Sequence, residues 1–192
     1  MVRLPPPSHS GSISLEQTLS ERRSVRQFNN APLDNPTLGQ LLWAAQGTTT
    51  KDGVFRTAPS AGATYPLQTY AVCSSGIYRY LPGEHALDQL CEIDRRQELA
   101  ETALNQTWVA EAAVDIVFTA RYENTTKRYA ERGKRYVLME AGHAAENIHL
   151  QAVALGLGSV PIGAFRDEKA GEVLAIPDAE DPLYIISVGH PR

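Results

Sequence analysis

Apolar positions along the chain switch between helical spacing and unbroken or alternating runs, and these switches mark out the elements. Ser14-Leu15-Glu16-Gln17 has the order of a capping box, in which the serine accepts from the third helical amide and the glutamine reaches back, so a helix is expected from there to about Arg22. Asn35-Pro36 reads as an N-cap followed by proline, and Leu38, Leu41, Leu42 and Ala45 recur at helical spacing up to Gly47. That stripe predicts a second, buried helix. Residues 69–73 and 77–81 are short β-prone runs joined by Ser74-Ser75-Gly76, the pattern of a hairpin. Residues 94–104 read as a helix with Asp94 and Gln97 as another capping pair. Residues 114–122 have no polar side chain from Ile116 to Phe118 and are expected as a central strand. From 129 to 155 the chain is free of proline and rich in Ala, Leu, Glu and Gln, which predicts one long helix closing at Gly156 and Gly158. Its middle, Ala141-Gly142-His143-Ala144-Ala145, carries so little bulk that another helix can approach closely, as across a dimer axis. A strand over 158–162, a short helix over 167–174 and a last strand over 183–189 complete an α+β domain with helices packed on one small sheet.

Residues 1–13 stand apart from this pattern. Three consecutive prolines, Pro5 to Pro7, hold the backbone near polyproline II and the following Ser and Gly residues resist regular structure, so they read as an extended arm ahead of a single domain over 14–192. At 192 residues the chain can bury its own core without a metal or disulfide staple. A net charge of −4 lacks the basic excess of a nucleic-acid surface, and no apolar run is long enough to span a bilayer. Cys73 and Cys91 are too few for a zinc site or a disulfide framework, which fits a reducing cytoplasm.

Glycine-rich nucleotide loops, hydrolase elbows and zincin motifs are absent from the sequence. Glu140-Ala-Gly-His143 and Glu146-Asn-Ile-His149 have the spacing of di-iron ligands, but both lie on one predicted helix, where six residues rotate the second unit by about 240°. They cannot share a metal, and they read as surface or interface polar residues. Arg22-Arg23-Ser24-Val25-Arg26 gathers three forked cations and a hydroxyl, donors suited to a phosphate, although cations at a helix C-terminus also simply complement its dipole. The run from Arg56 to Pro66 is a loop of small residues bracketed by prolines, which lets backbone amides reach a flat ligand. Ser60 within it has no His-Asp pairing to make it a nucleophile. Pro161-Ile162-Gly163-Ala164 ends a strand with exposed amides that suit the edge of an aromatic ligand.

In this order, RRSVR, APSAGATYPL, EAGHAAENIHLQAVALGLGSVPIGAF and the terminal VGHPR resemble the nitroreductase superfamily over nearly the whole chain, and within it the SagB-type, thiazoline/oxazoline oxidase-like dehydrogenases. The resemblance implies an intertwined homodimer, a mostly antiparallel central sheet, FMN as cofactor and NAD(P)H as electron donor. It implies that Arg22, Arg23 and Ser24 hold the FMN phosphate and ribityl chain, that Arg26 approaches the N1 side of the ring, and that Arg192 reaches the phosphate. By the same resemblance Pro59, Ser60, Ala61 and Gly62 come from the second subunit to wall one face of the flavin, Gln106 touches the ring, and Pro161, Ile162, Gly163 and Ala164 lie near N5. Nitro- and quinone-reducing relatives carry an acid where this chain has Gly163-Ala164. Azoline oxidases use a lysine and a tyrosine to move protons, for which the candidates are Lys134 with Tyr136 or Lys127 with Tyr129. Hydride transfer through N5 in a ping-pong cycle is therefore expected, on a small molecule or a peptide azoline and in either direction. The residues alone leave open a flavin carrier or sensor without turnover, and a structural homodimer without flavin.

Overall fold

Residues 1–29, 31–50 and 52–192 are described in a computed structural model of the chain. Their strands are β1 (Val2–Arg3), β2 (Leu67–Cys73), β3 (Gly76–Leu81), β4 (Ala86–Cys91), β5 (Val114–Ala120), β6 (Gly158–Ile162) and β7 (Asp181–Gly189). They form one sheet in the order β1-β4-β3-β2-β5-β7-β6, antiparallel at each pairing. The helices are α1 (Leu15–Glu21), α2 (Asn35–Gln46), α3 (Arg96–Thr102), α4 (Thr107–Glu111), α5 (Glu123–Tyr129), α6 (Arg132–Ala154) and α7 (Asp167–Leu174).

The central strand follows from its apolar run: all seven residues of β5 are buried. Val114, Ile116, Phe118 and Ala120 face a core built with α2 and α6 through Leu41, Leu42, Val137 and Ile148. Val117 faces the other core, where Leu99, Val109 and Leu174 come from α3, α4 and α7. Helices thus cover both faces of the sheet. Burying an aliphatic or aromatic side chain of this size contributes roughly 1.5–3 kcal/mol, so α6, with Val137, Ala141, Ala144, Ala145, Ile148 and Ala152 inward, is fixed along its length.

Several boundaries differ from the expected ones. Asp34, not Asn35, caps α2, its carboxylate accepting from the Thr37 N–H at 2.9 Å. Ser14 accepts from the Gln17 N–H at 3.1 Å, but the Gln17 amide turns to Glu21 instead of reaching back. The 94–97 capping pair does not form: Asp94 binds Arg96, Gln97 binds Glu101, and the helix starts at Arg96. The single helix expected over 129–155 is broken at Ala130, whose φ of +49° ends α5, and α6 starts two residues later. Gly133 allows the corner, since a Cβ there would stand 3.1 Å from the Thr125 and Thr126 backbone. The arm of residues 1–13 lies on its own domain: Val2–Arg3 pairs with β4, Leu4 is buried, and the Leu4 N–H donates to the His85 carbonyl at 3.0 Å.

Candidate active site

Beyond α1 the chain runs along the outer side of β6. Ser24 bridges Ser159, and the Val25 N–H donates to the Ser159 carbonyl at 2.9 Å. Gly158 permits that approach, because a Cβ there would meet the Val25 side chain at 2.7 Å. Phe28 is fully buried and bridges Pro191. The Arg192 N–H donates to the Gln27 carbonyl at 3.1 Å, so the last residues lie beside the arginine segment.

The short helix α4 links the remaining parts. The Arg26 guanidinium lies 5.6 Å from the centre of the Trp108 ring, and Arg192 Nη2 lies 3.9 Å from a Glu111 carboxylate oxygen. Just before α4, the Gln106 amide donates to the Ala103 carbonyl at 2.9 Å and to the Ala164 carbonyl at 3.2 Å. Arg22, Arg23, Ser24, Arg26, Gln106, Arg192 and the run Pro161, Ile162, Gly163, Ala164 are therefore assembled around the β6 edge. Among the described residues none of these four guanidiniums forms a close carboxylate fork: Arg22 Nε is 3.8 Å from Glu146, and Arg23 turns Nη1 to the Ser20 and Arg22 carbonyls. Their charge remains available to a phosphate dianion, and the exposed Gly163 and Ala164 present backbone beside it. These residues fit an FMN phosphate and ring edge.

Pro59 and Ser60 lead into, and Ala61 and Gly62 belong to, a 3-10 turn (Ala61–Ala63) that packs on α6 and meets α5 through Arg128, with no hydrogen bond or ion pair to the arginine cluster among the described residues. Gly62, Ala63 and Tyr65 have φ of +62°, +53° and +43°, left-handed values that are strained for the last two. The Gly62 carbonyl accepts from Arg128 Nη1 at 3.3 Å, and a Cβ at Gly62 would stand 2.7 Å from that nitrogen and from the Tyr129 hydroxyl. Ser60 Oγ accepts from the Tyr65 N–H at 2.9 Å, closing the turn. Behind it lies Arg56, which donates to Gln46 at 2.9 Å and stacks 4.5 Å from the centre of the Tyr65 ring.

The candidate lysines and tyrosines, Lys134 with Tyr136 and Lys127 with Tyr129, each have other partners in the structure. Lys134 pairs with Glu131 at 3.0 Å and Lys127 with Glu123 at 3.2 Å, all on the surface. Tyr129 and Tyr136 instead meet edge to face at 5.2 Å, with Arg128 and Arg132 over their rings, because positions 129 and 136 both turn toward the corner between α5 and α6. The two glutamate–histidine units also differ from expectation. His143 and Glu146 are exposed, but Glu140 and His149 are buried within the chain itself. They face apart, Glu140 toward Ser60 and Arg56, and His149 toward Ser159, its Nδ1 2.7 Å from Ser159 Oγ. Burial pushes the Glu140 carboxyl up to about 7 against the opposing pull of Ser60 and Arg56. Burial, with Arg22 adding to it, pushes His149 down to about 4. Trp108 carries no local motif that marks it, and the motifs that include Arg56, Glu140 and His149 do not foretell their surroundings, which distant segments supply.

The family model described as "Nitroreductase family" matches residues 19–190. A Methanocaldococcus jannaschii protein named as a nitroreductase is 43% identical over 183 residues, covering 92% of this chain and 91% of its own. An NADPH-flavin oxidoreductase of Vibrio harveyi is 30% identical over 183 residues; the alignment covers 91% of this chain but 65% of that protein. A crystal structure named as a nitroreductase, from Ralstonia eutropha, superposes with a TM-score of 0.90 at 31% identity over 100% of this chain and 89% of that one. The Escherichia coli microcin synthetase complex McbBCD, solved with truncated pro-MccB17 bound, contains a chain of the same fold, at a TM-score of 0.79 and 23% identity over 100% of this chain and 78% of that one.

Proposed function

The chain belongs to the nitroreductase family, and on that premise we propose that it is an FMN-dependent oxidoreductase acting as a homodimer in the cytoplasm. The observation that carries this reading is the convergence of Arg22, Arg23, Ser24, Arg26 and Arg192 with Gln106 and Ala164 around α4 and the β6 edge. FMN, when bound there, takes up and passes on a hydride at N5 in a ping-pong cycle. Arg22, Arg23 and Arg192 hold its phosphate with Ser24, and Arg26, braced on Trp108, places a cation at the N1 side, where it favours the reduced ring. Gln106, fixed by two carbonyls, orients the ring edge against Pro161, Ile162, Gly163 and Ala164.

The turn of Pro59, Ser60, Ala61 and Gly62 walls the flavin of the partner protomer. Two features support a dimer: the turn lies apart from its own arginine cluster, and Leu15, Leu19, Leu138 and Met139 on α1 and α6 are each more than half exposed. NAD(P)H is the donor in this reading, supported by the NADPH-named relative. The APSAGATYPL run supports a SagB-type dehydrogenase of a small molecule or peptide azoline as the second reading. The test is the absorption spectrum of the purified protein, followed by loss of flavin colour with NADH, NADPH or a peptide azoline. Yellow protein bleached by a nicotinamide supports the first reading, and bleaching by azoline alone supports the second. Flavin reduced by no donor indicates a carrier, and protein colourless after added FMN overturns the proposal. Arg26→Ala is expected to slow bleaching; unchanged FMN affinity and rate would remove Arg26 from its role.

A further inference from the structure

We propose that His149 is a positioning residue for the phosphate cradle: from α6 it fixes Ser159, and Ser159 in turn fixes the segment that carries Arg22, Arg23, Ser24 and Arg26. The inference rests on the reading that this segment holds an FMN phosphate.

Ser159 is held from two sides. Its hydroxyl lies 2.7 Å from His149 Nδ1, within hydrogen-bond reach, and the two residues are 2% and 5% exposed. Its carbonyl accepts from the Val25 N–H at 2.9 Å, and its backbone forms the bridge to Ser24. One residue of β6 therefore joins the long helix to the middle of the arginine run. The close approach of Val25 to Gly158 leaves that run no room to shift toward the strand. Yet β6 is itself an edge, paired among the described strands with β7 alone. The apolar face of α6 is buried along its length, so a contact from that helix gives the edge a fixed reference.

The pair is polar where packing alone calls for apolar side chains. Ala145 and Ala152, one turn to either side of His149 on α6, belong to the apolar core, as do Leu157 and Val188, the latter paired with Ser159 in the sheet. Burying an imidazole and a hydroxyl among such residues is costly unless each satisfies the other. An apolar pair fills the same space without specifying which residue of β6 stands opposite position 149. Burial, with Arg22 adding to it, keeps the imidazole neutral above about 4, so it meets the hydroxyl as an uncharged ring with one N–H.

The test uses the full chain, and its first arm needs no flavin. Amide hydrogen exchange is followed at Val25, whose N–H is closed by Ser159. In His149→Leu, which keeps the core filled, this amide is expected to exchange about tenfold faster, as for loss of one hydrogen bond, while amides of β5 and α6 keep their protection. His149→Asn, whose side-chain amide stands where Nδ1 stood, is expected to restore slow exchange. Ser159→Ala is expected to speed it alone, and His149→Leu added to Ser159→Ala changes nothing further. The second arm titrates FMN into the purified protein and follows the quenching of its fluorescence. His149→Leu is expected to bind FMN about tenfold more weakly, yet to be reduced at the wild-type rate once saturated, because a positioning residue touches neither ring nor donor. Unchanged Val25 exchange in a folded His149→Leu overturns the inference, and so does faster exchange spread over β5 and α6, the mark of a general brace. Faster Val25 exchange with unchanged FMN affinity overturns it as well. If His149→Leu does not fold, Ser159→Ala decides by the same readouts. A wild-type protein that takes up no FMN overturns the flavin reading instead, and the exchange arm still decides whether His149 holds the segment.

Discussion

Two glutamates are buried in this molecule to nearly the same depth and are treated in opposite ways. Glu180, between α7 and β7, is met on every side: Tyr70 and Thr119 donate to one carboxylate oxygen at 2.8 and 2.7 Å, and Arg121 binds the other through Nε and Nη2 at 3.1 and 3.0 Å. Glu140, on α6, has an oxygen with no partner and a carboxyl pushed up to about 7 by burial. A saturated carboxylate fastens strands β2 and β5 to the turn before β7, and it is a brace. An undersatisfied one beside a strained turn is a place where charge and shape can change together.

The sharpest way to test that contrast is to remove the brace. Glu180→Ala leaves Arg121, Tyr70 and Thr119 without their acceptor and is expected to cost about 3–5 kcal/mol, read as a lower urea midpoint at pH 7. A loss below about 1 kcal/mol would erase the distinction.

The next effect is in pH. Folded Glu140 keeps its proton to about 7, against an ordinary value of 4.5, so between these values the folded state binds more protons and stability falls as pH rises. His149 acts in the other direction: its folded value is about 4 against 6.5, the unfolded state binds more protons, and stability rises from pH 4 to 6.5. Each contribution is at most on the order of 3 kcal/mol. They oppose each other between 4.5 and 6.5, which flattens the wild-type curve there. Glu140→Gln is expected to uncover the rising limb alone, measured as denaturant midpoints at four pH values. A curve as flat as wild type's would mean Glu140 does not titrate in this range.

The smallest effect concerns the turn itself. Ala63→Gly relieves a φ of +53° and is expected to stabilise the folded protein by about 1 kcal/mol in a thermal melt, offset in part by the freedom glycine gains when unfolded. A destabilised variant would mean that the turn is not strained at Ala63.

The hairpin of β2 and β3, the central β5, the buried face of α2 and the short α7 were legible in the sequence because a local period or an unbroken apolar run specifies each. β4 was not: Ala86-Leu87-Asp88-Gln89-Leu90-Cys91 mixes polar and apolar residues and becomes a strand by pairing with β3. The break at Ala130 was equally hidden, since nothing in its identity marks it and only the fit of Gly133 against Thr125 requires the corner. At the site, the arginines announced themselves as a cluster of charge. The two glutamate–histidine units do point apart, as their spacing on one helix requires, but the burial of Glu140 was not legible, because it depends on a loop some 80 residues earlier in the chain.

The position of β7 in the sheet has a consequence for biosynthesis. Among the described residues the only strand β6 pairs with is β7, which must insert between β6 and β5 although it is made some 60 residues after β5. As the ribosome emits the chain, the β2–β3–β4 unit can assemble early, whereas the edge that carries Ser24 and Ser159 has no scaffold until residues 181–189 have left the exit tunnel. A nascent chain stalled before that point would hold a half-built sheet with the proposed flavin site unmade.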